Sequence, residues 1–324
     1  MLVRKQPANG TRMTLTDQQP YTASPAAATA QRPEAHRFGY ALAIGQSVLF
    51  ATSGVLARFS YETGLSPQQV TAVRFFGTFT VVAIALVVSR RHRFFSRQPL
   101  VYVQGALFAV ANYLYLFAVN ELSAGLATVI FFAYPAVVAF LAVPMYRERL
   151  TARTITAIVL ALAGIVLISG IASGGVGRLS PLGLIFAVAG MVGIGIYALL
   201  GQKTVDGDHP LTITFTVTGI SSVIALVAFP TALPALGAMS GMQWALVAAI
   251  AVFSAALPVL MQLAAIARIG ATKASLIGVL ETPVALLFAY LALGEILTGN
   301  QVIGSALVVA SVLAVTVPLR RPGN

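Results

Sequence analysis

Long apolar stretches alternate with short polar joins from Tyr40 to the end of the chain. Each stretch approaches the ~20 residues that an α-helix needs to cross the hydrocarbon core of a bilayer. They are apolar all round rather than alternating, which excludes membrane-spanning β-strands. The joins carry helix breakers or charges and leave no room for an inserted soluble domain. We count ten predicted spans, over residues 41–60, 69–89, 100–118, 124–145, 152–170, 181–201, 211–230, 242–264, 271–292 and 299–318.

Composition supports a membrane protein. Charged residues make up 9% of the 324 residues and hydrophobic residues 58%. Soluble globular proteins carry about 25% charged residues, because these residues solvate the surface. So few charges exclude a soluble enzyme, a nucleic-acid-binding domain and a disordered protein. We therefore predict an all-α membrane protein with ten transmembrane helices.

The positive charge predicts the orientation of the chain. The formal net charge is +11, and Lys and Arg accumulate in the cytoplasmic loops of membrane proteins. With the N-terminus in the cytoplasm, only Arg58, Arg74 and Arg178 fall outside the cytoplasmic segments, which leaves 17 of the 20 basic residues on that side. Ten spans then return the C-terminus to the cytoplasm. We expect a multi-pass protein of the plasma (inner) membrane.

The segment 1–38 differs from the rest of the chain. It is polar, rich in Pro, Ala, Thr and Gln, and contains no apolar run of the kind found in signal peptides. We expect residues 1–38 to form a flexible cytoplasmic tail.

The chain contains an internal repeat. Glu148-Arg149-Leu150-Thr151 and Glu295-Ile296-Leu297-Thr298 both read Glu-x-Leu-Thr, at an offset of 147 in the numbering. Pro135 and Pro283 precede them and miss that offset by one position. The repeat divides the chain into two halves of five spans, about 39–171 and 180–319. Since five is odd, the second half is inverted in the membrane, an arrangement typical of secondary transporters.

This arrangement resembles the drug/metabolite transporter superfamily, and within it the EamA-type family. Further similar segments are Val73-Arg74-Phe75, Ser123-Ala124-Gly125-Leu126-Ala127 and Leu280-Glu281-Thr282-Pro283-Val284. The family often has Glu directly before that last proline, whereas Thr282 intervenes here. The resemblance covers about 39–319 and implies secondary transport, usually export, of small metabolites, amino acids or drugs. It does not identify the substrate.

Two charged residues lie at membrane depth. Glu281 is midway along span 9, where a carboxylate must face the protein interior or a water-filled cavity. Burial favours its protonated form, so Glu281 suits a proton carrier or a contact with a substrate amine; the alternative is a neutral Glu bonded to a neighbouring helix. Arg74 in span 2 either holds a substrate carboxylate, or extends to the membrane surface, or locks helix packing.

Other polar residues within the spans need partners. They either line a cavity or join helices by hydrogen bonds, and they are Asn112, Tyr113, Tyr134, Tyr197 and Gln262. The repeated motif has a structural interpretation. Glu148 and Glu295 lie at helix ends, and Thr151 and Thr298 cap the helices that follow. Pro135 and Pro283 each loosen the helix that contains them.

The inverted repeat also predicts which spans surround the cavity. We expect spans 1, 3, 4, 6, 8 and 9 to line the cavity, and spans 5 and 10 to be peripheral.

The sequence favours a transporter over an enzyme. It has no phosphate-binding loop for ATP, no cysteine and no histidine cluster for a metal, and we expect no cofactor. The expected partners are a small-molecule substrate, the lipid bilayer and, with a proton gradient as one driving force, protons. A non-transporting membrane scaffold or sensor is one alternative. A membrane-embedded transferase is the other, although the nine acidic residues are too scattered for its metal–phosphate site.

The predicted topology has a direct test. Reporter fusions after Arg97, Arg153 and Arg320 should score cytoplasmic, and fusions at Gly64, Gly175 and Leu236 should score external, because the basic residues orient the spans. A cytoplasmic signal at Gly175 would contradict the division into five and five.

Overall fold

A computed structural model describes residues 25–90, 93–171, 179–228, 230, 237 and 239–317, with side chains from His36 onward. Positions 1–24 of the predicted tail lie outside these ranges. So do three of the fusion sites named above, at Gly175, Leu236 and Arg320.

Within the described residues, ten helices follow one another at the ten predicted spans. Nine are long and apolar enough to cross a membrane, and the tenth, α5, is apolar but shorter, with 17 residues. The described part of the chain is therefore a multi-pass, all-α membrane protein. The helices are α1 (Pro25–Glu62), α2 (Pro67–Ser89), α3 (Pro99–Glu121), α4 (Ala124–Tyr146), α5 (Ala152–Ile168), α6 (Pro181–Thr204), α7 (Pro210–Ala228), α8 (Gly241–Ile269), α9 (Ala271–Leu293) and α10 (Gly299–Thr316).

Helix α1 begins well before the predicted span. It starts at Pro25 and continues without interruption to Glu62, so residues 25–38 of the predicted tail are helical. Proline is favoured at the first position of a helix, and alanine, which fills the next three positions, has the highest helix propensity of any residue type. The local sequence therefore extends the helix beyond the apolar stretch from which the span was predicted.

Side-chain caps define the starts of several helices. Thr151 accepts a hydrogen bond from the backbone N–H of Thr154 at the start of α5. Thr298 does the same for Gln301 at the start of α10, and the Gln301 side chain accepts from the Thr298 N–H in return. These capping bonds satisfy N–H groups that have no partner within the helix. The two predicted threonine caps are present.

The ends of α4 and α9 repeat the same backbone geometry. Arg147 and Gly294 both adopt a left-handed conformation, with φ of 54° and 68°. The next N–H in each case, of Glu148 and Glu295, donates to a carbonyl oxygen 3.4 Å away, that of Ala142 and of Ala289. The members of each pair are separated by the offset of the Glu-x-Leu-Thr motif, so the sequence repeat is also a structural repeat.

Helix packing follows the same repeat. Helix α3 packs against α6 and α7, and its counterpart α8 packs against α1 and α2. Helices α1 and α9 form a pair, as do their counterparts α6 and α4. The pairs α2–α7 and α5–α10 each join a helix to its own counterpart. Exchanging the halves leaves this pattern unchanged, so the fold is the predicted pair of inverted five-helix repeats.

Helices α5 and α10 meet backbone to backbone. A Cβ atom on Gly164 would lie 2.6 Å from the Gly304 carbonyl oxygen, and one on Gly304 would lie 2.5 Å from the Gly164 carbonyl oxygen. Small residues at such crossings let helices in a membrane approach closely. The two glycines therefore set the distance between α5 and α10.

Replacing Gly164 with Ala should destabilise the protein. The added methyl group would overlap the Gly304 carbonyl and the Val308 side chain, and overpacking typically costs about 1–3 kcal/mol. Thermal unfolding in detergent should show a lower midpoint. Gly54→Ala is the matched control: Gly54 also lies in a helix, but a Cβ atom added to it would meet no heavy atom within 4 Å, so its midpoint should hold or rise. Equal midpoints for the two variants would contradict the close crossing.

Candidate functional site

A cavity of about 280 Å³ lies among the central parts of the helices. Its lining comes from α1, α2, α3, α4, α6, α8 and α9, and no described residue of α5, α7 or α10 contributes. The expectation that spans 1, 3, 4, 6, 8 and 9 line the cavity, with spans 5 and 10 peripheral, is confirmed. Helix α2 is an additional contributor, through Thr71 and Arg74.

Helices α4 and α9 are both broken beside this cavity. Helix α4 consists of Ala124–Phe132 and Tyr134–Tyr146, and α9 consists of Ala271–Gly278 and Glu281–Leu293. Proline lacks a backbone N–H. Pro135 and Pro283 therefore cannot bond to the carbonyls of the preceding turn, and each helix is interrupted just before its proline.

Glu281 occupies the first position after the break in α9, and Tyr134 the first position after the break in α4. Their separation along the chain equals the offset of the repeat, and both line the cavity. The inverted repeat therefore places one tyrosine and one carboxyl group at equivalent positions. The Tyr134 hydroxyl donates to the Ser275 carbonyl oxygen, 3.4 Å away.

Arg74 faces the same cavity from α2 and interacts electrostatically with Glu281. The two do not form an ion pair, since the pair found within 4.0 Å among the described residues is Arg58–Glu62. The cavity lining thus contains one cationic and one acidic side chain that do not form an ion pair within 4.0 Å.

Three amide side chains add polar groups to the lining. Gln46 of α1 is 1% exposed, and its Oε1 atom has no hydrogen-bond partner among the described residues. Asn112 of α3 donates from Nδ2 to the Phe108 carbonyl oxygen at 2.7 Å. This bond does not use the Asn112 side-chain oxygen. Gln262 of α8 accepts from the Tyr197 hydroxyl at 3.4 Å. A buried acceptor without a partner costs free energy, and the Gln46 oxygen is covered by protein in this structure.

Two of the predicted residues lie behind the lining. Tyr197 is 1% exposed, and its ring centroid is 4.8 Å from that of Phe108, which lines the cavity. Tyr113 is also buried and lies 5.9 Å from the ring of Phe75. Both point toward neighbouring helices because they are on the side of α6 or α3 that faces the packed interior. They support the cavity wall and do not form its surface.

Several lining residues were not predicted, although a helical pattern marks them. Gln46, Phe50 and Ser53 lie on one face of α1, at spacings of four and three positions. On α3 the unpredicted Phe108 shares a face with the predicted Asn112, four positions later, and with Tyr115. Phe131 and Phe132 of α4 complete the aromatic part of the wall, and the rings of Tyr115 and Phe131 are 4.6 Å apart.

At the ends of α4 and α6 and the start of α9, side chains join three helices. The Tyr146 hydroxyl donates to the Leu199 carbonyl oxygen at 2.6 Å, and the Ala271 N–H donates to Gln202 Oε1 at 2.6 Å. Glu148 accepts from the Thr272 hydroxyl at 2.7 Å. We call these three contacts the basal contacts. Glu148 therefore joins the end of α4 to the start of α9.

The repeat equivalent of Glu148 makes no such contact. Glu295 is exposed, and no hydrogen bond from its side chain is found among the described residues. The two halves therefore have the same fold but different contacts at their equivalent ends.

The acidic loop before α7 also has a structural role. Asp206 is exposed to solvent. Asp208 instead accepts from the Ser96 hydroxyl at 2.5 Å and from Gln98 Nε2 at 3.0 Å. It joins the α2–α3 and α6–α7 loops, which the sequence did not predict because the two loops are far apart along the chain.

Comparison with known proteins agrees with the architecture. The EamA-like transporter family matches residues 37–170 and again residues 181–317, one match to each half. Two proteins of Archaeoglobus fulgidus named uncharacterized transporters are 25% and 27% identical, covering 78% and 86% of this chain and 89% and 96% of their own lengths. A solved protein crystal structure has the same fold, with a TM-score of 0.70 and 20% identity, covering 88% of this chain and 97% of that one. The chain therefore belongs to the EamA-like transporter family and is a membrane transporter.

Proposed function

We propose that this protein is a secondary transporter that exports a small zwitterionic metabolite, such as an amino acid or a related compound, across the plasma membrane. The observation that carries the proposal is the presence of Arg74 and Glu281 in one central cavity between two inverted repeats. Charged side chains at membrane depth are costly, and they typically mark substrate and ion pathways.

The size of the cavity favours a small substrate. Its volume of about 280 Å³ is at the lower end of the roughly 300–1,000 Å³ of ligand pockets. A drug-sized molecule would need a larger space. The family resemblance implies either metabolites or drugs as substrates, and the cavity volume favours small metabolites.

The charges and amides supply matching contacts. The Arg74 guanidinium offers paired N–H donors that suit a carboxylate. Glu281, when ionised, accepts from an ammonium group. Asn112 and Gln262 add amide groups to the cavity lining. The wall formed by Phe50, Phe108 and Phe131 would contact an apolar side chain.

Glu281 is also the candidate proton carrier. It is the acidic residue of the cavity lining, and it lies directly after a break in α9. A carboxyl group that faces a cavity can exchange its proton with water there, and movement of a broken helix changes which side supplies that water. A proton bound from one side can thus be released on the other while the substrate moves in the opposite direction.

The basal contacts support alternating access. They join α4, α6 and α9 at the end of the molecule that carries Arg147, Arg149 and Lys273, which the positive-inside rule assigns to the cytoplasm. At the opposite end, the described residues provide no equivalent contact for Glu295. This asymmetry fits a state that is closed toward the cytoplasm, with both termini on the closed side. Exchange of contacts between the halves would then close the outer end and open the inner one.

A counterflow assay in proteoliposomes tests the function. Vesicles loaded with one unlabelled amino acid should accumulate the same labelled amino acid, since a carrier exchanges substrate without net energy input. The matching amine without a carboxylate should compete poorly, because Arg74 would have no partner. No counterflow with any of a broad pool of amino acids and related metabolites would refute the proposal, and would favour a scaffold or sensor.

Replacing Glu281 with Gln should uncouple transport from protons. The amide has the shape of the protonated acid, so folding and insertion should be retained, but it has no proton to release. We expect transport driven by a pH gradient to fall at least ~10-fold, equivalent to about 1.4 kcal/mol, with some substrate binding left. Uptake into proteoliposomes with and without an imposed pH gradient measures this.

Glu62→Gln is the matched control, because Glu62 is an exposed acid at the end of α1 that pairs with Arg58 and lies outside the cavity lining. It should transport normally. If Glu281→Gln shows the normal rate and the normal pH dependence, Glu281 has a structural role and proton coupling through it is wrong.

Cysteine labelling tests the cavity, since the native chain has no cysteine. Ser53→Cys lines the cavity from α1 and should react with a membrane-impermeant thiol reagent, faster from the outside of the cell. Ser47→Cys is the matched control on the same helix: Ser47 is 0% exposed and bonds to the Ala43 carbonyl oxygen, so it should stay unlabelled. Strong labelling through the middle of α5, at Val159 to Val166, would contradict the peripheral position of that helix.

A further inference from the structure

A second, larger cavity of about 1010 Å³ lies at the basal end of the molecule. It is bounded by the start of α1, the α4–α5 loop, the start of α9 and the end of α10. Leu276 of α9 lines this cavity, whereas Gly278 and Glu281 of the same helix line the central one. The two cavities are therefore distinct.

Cations dominate the lining of this basal cavity. Arg37, Arg149, Arg153 and Lys273 line it together with one acidic residue, Glu148. The Glu148 carboxylate is already engaged, with one oxygen bonded to Thr272 and the other 3.5 Å from Gln202 Nε2. The acid therefore does not pair with the surrounding cations.

One of the four cations has a structural partner. Arg153 donates to the carbonyl oxygens of Ala314 and Val317, near the end of α10. Arg37, Arg149 and Lys273 have exposed side chains, and none takes part in an ion pair within 4.0 Å among the described residues. Among the described residues, three cations therefore line one cavity whose single acid, Glu148, forms no ion pair with them.

The position of the cavity indicates which anion would supply that charge. Helices α5 and α10 border it, and their outer faces are apolar and exposed, as at Ile155 and Leu313, which is the surface expected against lipid chains. Tyr40, Leu276 and Val315 add apolar groups to the lining itself. A cavity that combines cations with an apolar wall, at the end of lipid-facing helices, lies at the depth of the phospholipid headgroups.

We propose that the basal cavity binds the phosphate group of an anionic phospholipid, with Arg37, Arg149 and Lys273 as its cationic contacts. Basic pockets between transmembrane helices on the cytoplasmic side are suited to such headgroups. The lipid would bridge α1, the α4–α5 loop and α9, on the outer side of the basal contacts. The proposal does not depend on the identity of the transported substrate.

Native mass spectrometry of the purified full-length protein tests this site. Phosphatidylglycerol and phosphatidylcholine of the same chain length would be titrated in detergent. Phosphatidylglycerol should be retained preferentially. Each of Arg37→Gln, Arg149→Gln and Lys273→Gln should lower its affinity about fivefold, and a double variant roughly 30-fold, since each basic residue near the membrane surface contributes a similar increment.

Two control variants remove a positive charge elsewhere. Lys203→Gln changes an exposed cation in the last turn of α6, outside the cavity lining, and Arg58→Gln changes one near the far end of α1. Both should leave phosphatidylglycerol affinity unchanged. Because all three test residues are exposed, the single variants should fold, and a normal elution profile and melting midpoint would verify that they do.

Three results would overturn the proposal. Equal retention of the two lipids would remove the selectivity for an anionic headgroup. Unchanged phosphatidylglycerol affinity in the single and double variants would place bound lipid elsewhere. Inorganic phosphate that binds as tightly as the lipid, or displaces it at comparable concentration, would show a site for a soluble anion and not for a lipid.

Discussion

The membrane offers no water to satisfy backbone groups, and the rest of this structure depends on that constraint. A peptide group without a partner in the hydrocarbon region costs several kcal/mol, so the chain crosses as helices, and any interruption must lie inside the protein. Helices α4 and α9 are interrupted at equivalent positions of the two repeats. These interruptions, at Ala133 and at Val279-Leu280, lie beside the central cavity. The prolines that cause them therefore create irregular backbone where polar groups are available, and Glu281 lies directly after one of them.

An inverted repeat gives two similar halves, but function needs differences between them. Tyr134 and Glu281 occupy equivalent positions with different chemistry, and Glu148 and Glu295 carry the same side chain in different contacts. The first difference is fixed by sequence and makes the cavity chemically asymmetric. The second also has a basis in sequence, since the Thr272 hydroxyl that donates to Glu148 has Gly125 at the equivalent position of the other half.

Much of the fold could be predicted from the sequence because bilayer thickness sets the length of each apolar stretch, and helix breakers and charges mark the joins between stretches. The ten helices, the repeat and the caps at Thr151 and Thr298 follow from local patterns. The start of α1 at Pro25 does not, because a helix can continue beyond the apolar residues that reveal it. The cavity was predicted by helix but less well by residue: Glu281, Arg74, Asn112, Tyr134 and Gln262 line it, whereas Tyr113 and Tyr197 lie behind it. A tyrosine in a span needs a partner, but the sequence does not say which helix face supplies it. Gln46 was missed since a single amide in α1 becomes informative only when Phe50 and Ser53 are known to share its face.

The contact of Gly164 with Gly304 constrains how the halves can move. Sliding α5 along α10 by one position, about 1.5 Å, would replace a glycine at the crossing with a residue that carries a side chain, and Val308 and Ile168 already lie against the space beside the glycines. Rotation about the crossing preserves the close approach, whereas translation does not. If the two halves rotate relative to each other, the α5–α10 crossing is therefore the expected pivot point. The displacement of each helix would then increase with its distance from the crossing. Helices far from the α5–α10 pair would move most, and the crossing itself would move least.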